Sequence, residues 1–216
     1  MPPELSSTTV FLDFDGTITE HDSCVHLLNR TVGDSWRTVE DLWLSGAIGP
    51  RECIQRQWDL IPRGDEQELR RIVREVPLDP SFPALTRALR TAGAEVVVLS
   101  DGYGFYAEEV CERHGLVLIS NHIDWDDWTV TFPDISAGCD CPGCATCKPA
   151  AIRAARSAGR ATVLVGDGAS DRRGATVADR VFATADLAAW CDSAGVEYHP
   201  FATLADVLAA LLPERG

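Results

Sequence analysis

The stretch Thr9-Val10-Phe11-Leu12-Asp13-Phe14-Asp15-Gly16-Thr17 decides the fold. Four apolar or β-branched residues run straight into two carboxylates and a glycine. That is the pattern of a strand covered on both faces and ending in a polar turn. Val96-Val97-Val98-Leu99 leads in the same way into Ser100-Asp101-Gly102, and Thr162-Val163-Leu164-Val165 into Gly166-Asp167-Gly168. Helical patterns alternate with these runs at residues 82–92, 105–114, 149–158, 170–178 and 202–212. Strands alternating with helices predict an α/β fold with a doubly wound parallel sheet, whose ligands gather outside the carboxyl ends of the strands. The three polar turns therefore converge on one crevice.

About 80 residues lie between the first two strands, far more than a single crossover helix needs. Helical segments fall at residues 24–29, 36–44, 50–60 and 65–76. They are broken by Gly33, by Gly46-Ala47-Ile48-Gly49-Pro50 and by Pro62-Arg63-Gly64. We read residues 20–80 as a helical cap inserted after the first strand, over a discontinuous core of residues 1–19 and 81–216. The alternative is a set of helices packed on the flank of the sheet. Residues 123–132 alternate aromatic and polar side chains about Asp126-Asp127, which predicts a β-hairpin.

The 216 residues carry 19 Lys and Arg against 33 Asp and Glu, a formal net charge of −14, and 45% are hydrophobic, enough for a sizeable core. With no basic run, nucleic acid and anionic membrane surfaces are excluded as main partners, because a phosphate backbone needs clustered cations. No run approaches the ~18–20 apolar residues of a membrane-spanning helix. Residues 1–9 lack a basic segment and a long apolar one, so the expected location is cytoplasmic.

Four carboxylates, Asp13, Asp15, Asp167 and Asp171, meet in the crevice. Such a group is untenable without a cation among them, and Mg²⁺, which takes carboxylate, carbonyl and water oxygens, suits them. Lys148, the single lysine beside 18 arginines, starts the helix before the third strand and brings a compact ammonium rather than a planar fork. Ser100 supplies a hydroxyl, and Gly16 and Gly102 supply backbone N–H groups. Together they make a cradle for a dianionic phosphoryl group.

These four loops, Asp13 to Thr17, Ser100, Lys148, and Gly166 to Asp171, resemble in order motifs one to four of the haloacid dehalogenase superfamily of phosphatases. The resemblance implies a Rossmann-like core and a set of roles. Asp13 would be the nucleophile that forms an aspartyl-phosphate. Asp15 would protonate the leaving alcohol and then activate water. Ser100 and the backbone near Gly102 would hold phosphoryl oxygens, with Gly16, Asp101 and Ser170 completing the phosphate and substrate contacts, and Lys148 would neutralise charge. Asp13, Asp15 (through its carbonyl) and Asp167 would bind Mg²⁺, with Asp171 orienting a metal-bound water or Lys148. For Asp171 the alternative is a carboxylate that merely stabilises a helix N-terminus.

The insertion resembles the cap of the phosphoserine-phosphatase branch. There, Asp22 and Arg56 stand where that branch places partners for the amine and carboxylate of its substrate, although Arg56 equally reads as a solvated arginine. Ser100-Asp101-Gly102 departs from the branch's usual Ser-Gly-Gly. Thr17-Ile18-Thr19, Thr131-Phe132-Pro133 and the run Cys141-Pro142-Gly143-Cys144-Ala145-Thr146-Cys147-Lys148-Pro149 are similar to bacterial methionine-salvage phosphatases acting on 2-hydroxy-3-keto-5-methylthiopentenyl-1-phosphate. A related cysteine-containing approach to the lysine occurs in phosphocholine/phosphoethanolamine phosphatases. Trp36, Trp43 and Trp58 wall an apolar pocket or fill the core of the cap.

Cys139, Cys141, Cys144 and Cys147 offer four thiolates to a structural Zn²⁺; reduced thiols or a disulfide are the alternatives. Cys24, Cys53, Cys111 and Cys191 read as small buried hydrophobes. The expected function is Mg²⁺-dependent hydrolysis of a small phosphorylated metabolite of the methionine-salvage type. The competing expectations are an amino-acid phosphate or phosphocholine-type phosphatase, and a zinc-stabilised, non-catalytic binding protein on the same scaffold.

Overall fold

The computed structural model describes residues 5–133 and 143–213. β1 (Thr8–Leu12) is buried along its whole length, and the chain then leaves the sheet for four helices: α1 (Ser23–Val32), α2 (Arg37–Leu44), α3 (Pro50–Leu60) and α4 (Glu66–Val73). It returns through α5 (Phe82–Thr91), β2 (Glu95–Tyr103), α6 (Gly104–His114), β3 (Val117–Asp124) and β4 (Thr129–Thr131). The remainder is α7 (Lys148–Ser157), β5 (Ala161–Gly166), α8 (Arg172–Ala175), β6 (Arg180–Ala183), α9 (Ala185–Ala194), β7 (His199–Pro200) and α10 (Leu204–Leu211).

Among the described residues the sheet has seven strands in the order β4-β3-β2-β1-β5-β6-β7. All neighbours are parallel except β3 and β4, the expected hairpin, where Ile123 faces Val130. From β1 the chain moves to β2 and β3 on one side, then to β5, β6 and β7 on the other. The strand order thus reverses beside β1 and β5, where such sheets open a crevice.

Side-chain alternation explains the two helical layers. Val10, Leu12, Val96, Val98 and Val163 cluster with Phe82 and Leu85 of α5, Cys111 of α6 and Leu204 and Val207 of α10. Phe11, Val97, Leu99 and Leu164 cluster on the opposite face with Ile152 of α7 and with Leu187 and Cys191 of α9. Because both faces are covered, the central strands read as continuous apolar runs.

The inserted helices leave and rejoin the sheet where an isolated antiparallel bridge pairs Thr19 with Leu78. They are tied to the hairpin by reciprocal hydrogen bonds. Trp58 Nε1 donates to the Trp128 carbonyl (3.0 Å), Trp128 Nε1 donates to the Ile61 carbonyl (3.3 Å), and Val130 N donates to Gln55 Oε1 (3.1 Å).

Three features differ from the sequence reading. β2 does not end at Leu99 but continues through Ser100-Asp101-Gly102 to Tyr103, with an irregular register. Asn121 Nδ2 holds that extension by donating to the carbonyls of Asp101 (2.7 Å) and Gly102 (3.2 Å). The helix expected at residues 170–178 is a 3₁₀ turn, Ala169–Asp171, followed by the short α8, because the Asp171 side chain folds back onto its own loop. β6, β7 and the first half of β3, ahead of the expected hairpin, are not part of the sequence reading, nor is α9; the strands are short or partly exposed and give a weak apolar signal. No helix among the described residues is long and apolar enough to cross a membrane.

Candidate active site

At the carboxyl end of β1, Asp13 N still pairs with the Val165 carbonyl of β5 (2.9 Å), which fixes the Asp13 backbone beside the following loop. Its Oδ1 accepts from Phe14 N (2.8 Å) and its Oδ2 lies 2.9 Å from Lys148 Nζ. Lys148 opens α7 and is only 1% exposed. Its ammonium also donates to Asp171 Oδ1 (2.7 Å) and Ser170 Oγ (3.1 Å). Asp171 Oδ2 accepts from Asp167 N (3.2 Å) and Gly168 N (3.3 Å), and Asp167 Oδ1 accepts from Thr17 Oγ1 (3.0 Å). Carboxylate oxygens of Asp13, Asp167 and Asp171 lie within 4.8 Å of one another.

One ammonium therefore faces three carboxylates. Burial, reinforced by Asp171, pushes the Asp13 carboxyl well above its ordinary range, although Lys148 pulls the other way. Burial and Asp171 likewise push Asp167 up to about 7. Burial works against the charge of Lys148, but Asp13, Asp171 and Asp101 outweigh it and raise its pKa. The residual negative charge and the hard oxygen donors fit a divalent cation such as Mg²⁺. The backbone is built close around these groups. Gly16 has φ +75°, and a Cβ there would run into the Asp167 carboxylate; a Cβ at Gly166 would run into that of Asp171.

Asp15 faces the same space but is held differently. Its Oδ1 accepts from Ser23 N (3.1 Å), and its Oδ2 accepts from Tyr106 Oη (2.9 Å) and lies 3.4 Å from Ser100 Oγ. Burial, with Asp22 nearby, pushes its carboxyl up to about 7. Ser100 is buried, and its hydroxyl accepts from Gly102 N (3.0 Å). The Asp101 carboxyl, pushed up to about 6 by burial, accepts from Thr146 N (2.6 Å) and so braces the approach to Lys148. A cavity of about 510 Å³ opens over these groups, lined by Asp13, Asp15, Asp101, Gly102, Asp167 and Ser170 on the sheet side.

The sequence model of the haloacid dehalogenase-like hydrolases matches residues 10–176, a span that contains every one of these groups. The chain belongs to this family. Within it, the chain is 30% identical over 211 residues to the 2-hydroxy-3-keto-5-methylthiopentenyl-1-phosphate phosphatase of Exiguobacterium sp. (strain ATCC BAA-1283 / AT1b), covering 94% of this chain and 96% of that one. It is 29% identical over 208 residues to the enzyme of the same name from Brevibacillus brevis, covering 94% of each. A substrate-bound phosphoserine phosphatase superposes with a TM-score of 0.73 at 16% identity, over 95% of this chain and 98% of that one, which is a likeness of fold.

In this haloacid dehalogenase-like hydrolase the inserted helices form the other wall of the cavity. Asp22, Cys24, Val25, Leu28, Trp36, Glu40, Trp43, Cys53, Ile54 and Gln57 line it. Asp22 caps α1 through Val25 N (2.7 Å). The tryptophans divide between the two expected roles. Trp43 lines the cavity, Trp36 is buried yet also reaches it, and Trp58 is core. Arg56 is not brought to the cavity: it is half-exposed and pairs with Glu52 one turn away. Cys53, Ile54 and Gln57 occupy the inward face of α3, so residues 52 and 56 fall on the solvent side.

Cys139 and Cys141 lie outside the described residues. Cys147 is buried directly before Lys148. Cys53, Cys111 and Cys191 are buried as expected, whereas Cys24 is only partly buried; Cys24 and Cys53 border the cavity. Sequence reasoning missed Thr17, Tyr106, Asn121, Thr146 and Arg172. Thr17 closes the first motif, where only its role on Asp167 went unassigned. Arg172, the sole cation among the described lining residues, sits in an Asp-Arg-Arg run that reads as solvated surface. Tyr106, Asn121 and Thr146 leave no sequence signal, because their partners lie 91, 20 and 45 residues away.

Proposed function

We propose that this hydrolase cleaves phosphomonoesters of small metabolites, with Asp13 as nucleophile and Asp15 as proton shuttle. The carrying observation is the separation of two environments. Asp13 sits on the buried ammonium of Lys148, while Asp15 is held by a phenol and a backbone N–H. Two carboxyls with different surroundings suit one for attack and the other for proton transfer.

In the first step an Asp13 oxygen attacks phosphorus, the ester P–O bond breaks, and the leaving alkoxide takes the proton of Asp15. Lys148 offsets charge between Asp13 and the phosphoryl group, and the Ser100 hydroxyl and Ser170, the latter on the cavity wall, would hold phosphoryl oxygens. In the second step Asp15 takes a proton from water. The water oxygen attacks phosphorus, and the aspartyl-phosphate bond breaks to return the Asp13 carboxylate and inorganic phosphate. Mg²⁺, when bound, would lower the charge on the phosphoryl oxygens. Asp13, Asp167 and the carbonyl of Asp15 are the groups that would hold it. Both oxygens of Asp171 are already engaged, by Lys148 and by two loop N–H groups, which supports a role in orienting Lys148.

Residues 20–80 act in this reading as the cap, since α1, α2 and α3 supply the far wall of the cavity. A volume of about 510 Å³ suits a small metabolite. Val25, Leu28, Trp36, Trp43 and Ile54 favour a partly apolar leaving group. With Arg56 turned away, no cap cation among the described lining residues awaits a carboxylate. These features, together with the names of the relatives, support a methionine-salvage substrate of the 2-hydroxy-3-keto-5-methylthiopentenyl-1-phosphate type. Asp22 and Glu40 on the same wall favour a second reading, an amine-bearing phosphate such as phosphoethanolamine. Zinc at Cys139, Cys141, Cys144 and Cys147 rests on spacing alone, and the metal content of purified protein decides it.

Turnover of a panel holding the salvage ester, phosphoethanolamine, phosphocholine and phosphoserine tests the substrate reading. The salvage ester should give the highest kcat/KM, and Arg56→Ala should leave it within about twofold. A clear preference for phosphoserine that Arg56→Ala abolishes would overturn it. Asp13→Asn should lower all turnover by roughly a thousandfold or more; retained activity would refute the mechanism.

A further inference from the structure

Tyr106 lies in the first turn of α6, outside every motif that carries the proposed chemistry, yet its hydroxyl meets Asp15. The phenol accepts from Tyr103 N (3.1 Å) and is 2.9 Å from Asp15 Oδ2. A phenol has a single proton. With a backbone N–H already directed at the oxygen, that proton is aimed at the carboxylate. Asp15 Oδ1 is held in turn by Ser23 N (3.1 Å), so the carboxyl is gripped at both oxygens and its plane is set. The junction exists because residue 102 is glycine: a Cβ there would overlap both Tyr106 Oη and Asp15 Oδ2. The other side chain near Oδ2 is Ser100, at 3.4 Å. Once Ser100 turns to a phosphoryl oxygen, the phenol is the side-chain donor left to Oδ2 among the described neighbours.

We propose that Tyr106 is a positioning residue for proton transfer to the leaving group, holding the Asp15 carboxyl toward the ester oxygen while Ser100 serves the phosphoryl group. This rests on the reading of Asp15 as the proton donor. In the step concerned, the ester P–O bond breaks as the Asp15 proton passes to the departing oxygen; Tyr106 keeps its own proton throughout. The consequence is a dependence on the leaving group. An alkoxide needs that proton to depart, whereas p-nitrophenolate leaves without it.

The test compares kcat/KM, which reports steps up to leaving-group departure, for wild type and Tyr106→Phe on p-nitrophenyl phosphate and on an alkyl phosphomonoester that wild type turns over. Tyr106→Phe should lose roughly tenfold or more on the alkyl ester and under about twofold on the aryl ester. In an Asp15→Asn background it should cost nothing further. A melting temperature within a few degrees of wild type shows that the fold survives. Equal losses on both esters, or additive losses in the double variant, would show a merely structural tyrosine and overturn the proposal, as would no loss on either ester. If the wild type turns over no phosphomonoester at all, the phosphatase reading itself fails, and the role of Tyr106 with it. An active wild type that loses activity in Asp13→Asn, joined to an unselective Tyr106→Phe, sinks only the positioning role.

Discussion

Lys148 shows most directly how one residue type is chosen by its surroundings. Its ammonium is 1% exposed and donates to Asp171 and Ser170 while lying against Asp13. A guanidinium has a wide planar fork and could not enter this space without displacing one of the carboxylates. Lys148→Met removes the charge but keeps the stem, leaving two buried carboxylates without their partner. It should destabilise the chain by about 3 kcal/mol in urea unfolding without added metal, and it should abolish turnover. Gly16 makes a parallel case. With φ +75° and the Asp167 carboxylate in the path of any Cβ, Gly16→Ala should displace Asp167 and weaken Mg²⁺ binding by roughly tenfold or more in a calorimetric titration. Lys148 and Gly16 were legible in the sequence because each sits inside a contiguous motif. Tyr106 was not, because its hydrogen bond joins α6 to a loop 91 residues earlier.

Among the elements, the end of β2 and the seat of the β3–β4 hairpin against α3 were not legible in the sequence. An apolar run followed by Ser-Asp-Gly reads as a strand and a loop, yet Asn121 on β3 keeps the backbone extended to Tyr103. That extension places α6, and with it Tyr106, over Asp15. The hairpin itself followed from its alternating pattern, but its contact with α3 did not. Trp58 and Trp128 each donate an indole N–H to the other segment's backbone, and Trp125, Tyr103 and Phe105 lie against Trp58. Trp58→Phe leaves the Trp128 carbonyl without its donor and a void where the larger ring stood. It should cost about 2 kcal/mol and speed amide exchange in residues 50–61 and 123–131 ahead of the rest of the chain.

At the scale of the whole molecule, the carboxylates of Asp13, Asp167 and Asp171 gather at the switch point beside β1 and β5. Burial and Asp171 raise Asp13 and Asp167 above an unfolded carboxylate, so the metal-free native state binds protons more tightly than the unfolded one. Its stability should fall as pH rises from about 4 through about 7, the range set by Asp167, with Asp13 acting in the same direction, because the added ionisation is resisted in the native state alone. Mg²⁺ competes with those protons. The rise in melting temperature on adding Mg²⁺ should therefore be larger at pH 8 than at pH 5.5, and Asp167→Asn should remove most of the difference. By itself the sequence determined the three central strands with the helices that follow them, a long helical stretch between β1 and β2, and the four loops with their carboxylates, serine and lysine. Each of those is written in contiguous residues, where periodicity and local chemistry act over a few positions. Only the tertiary structure decided which way Arg56 faces, which oxygens of Asp171 are already taken, and that Tyr106 meets Asp15 across the space left by Gly102. Those outcomes depend on how elements distant in the chain are set against one another, and packing rather than local pattern settles that.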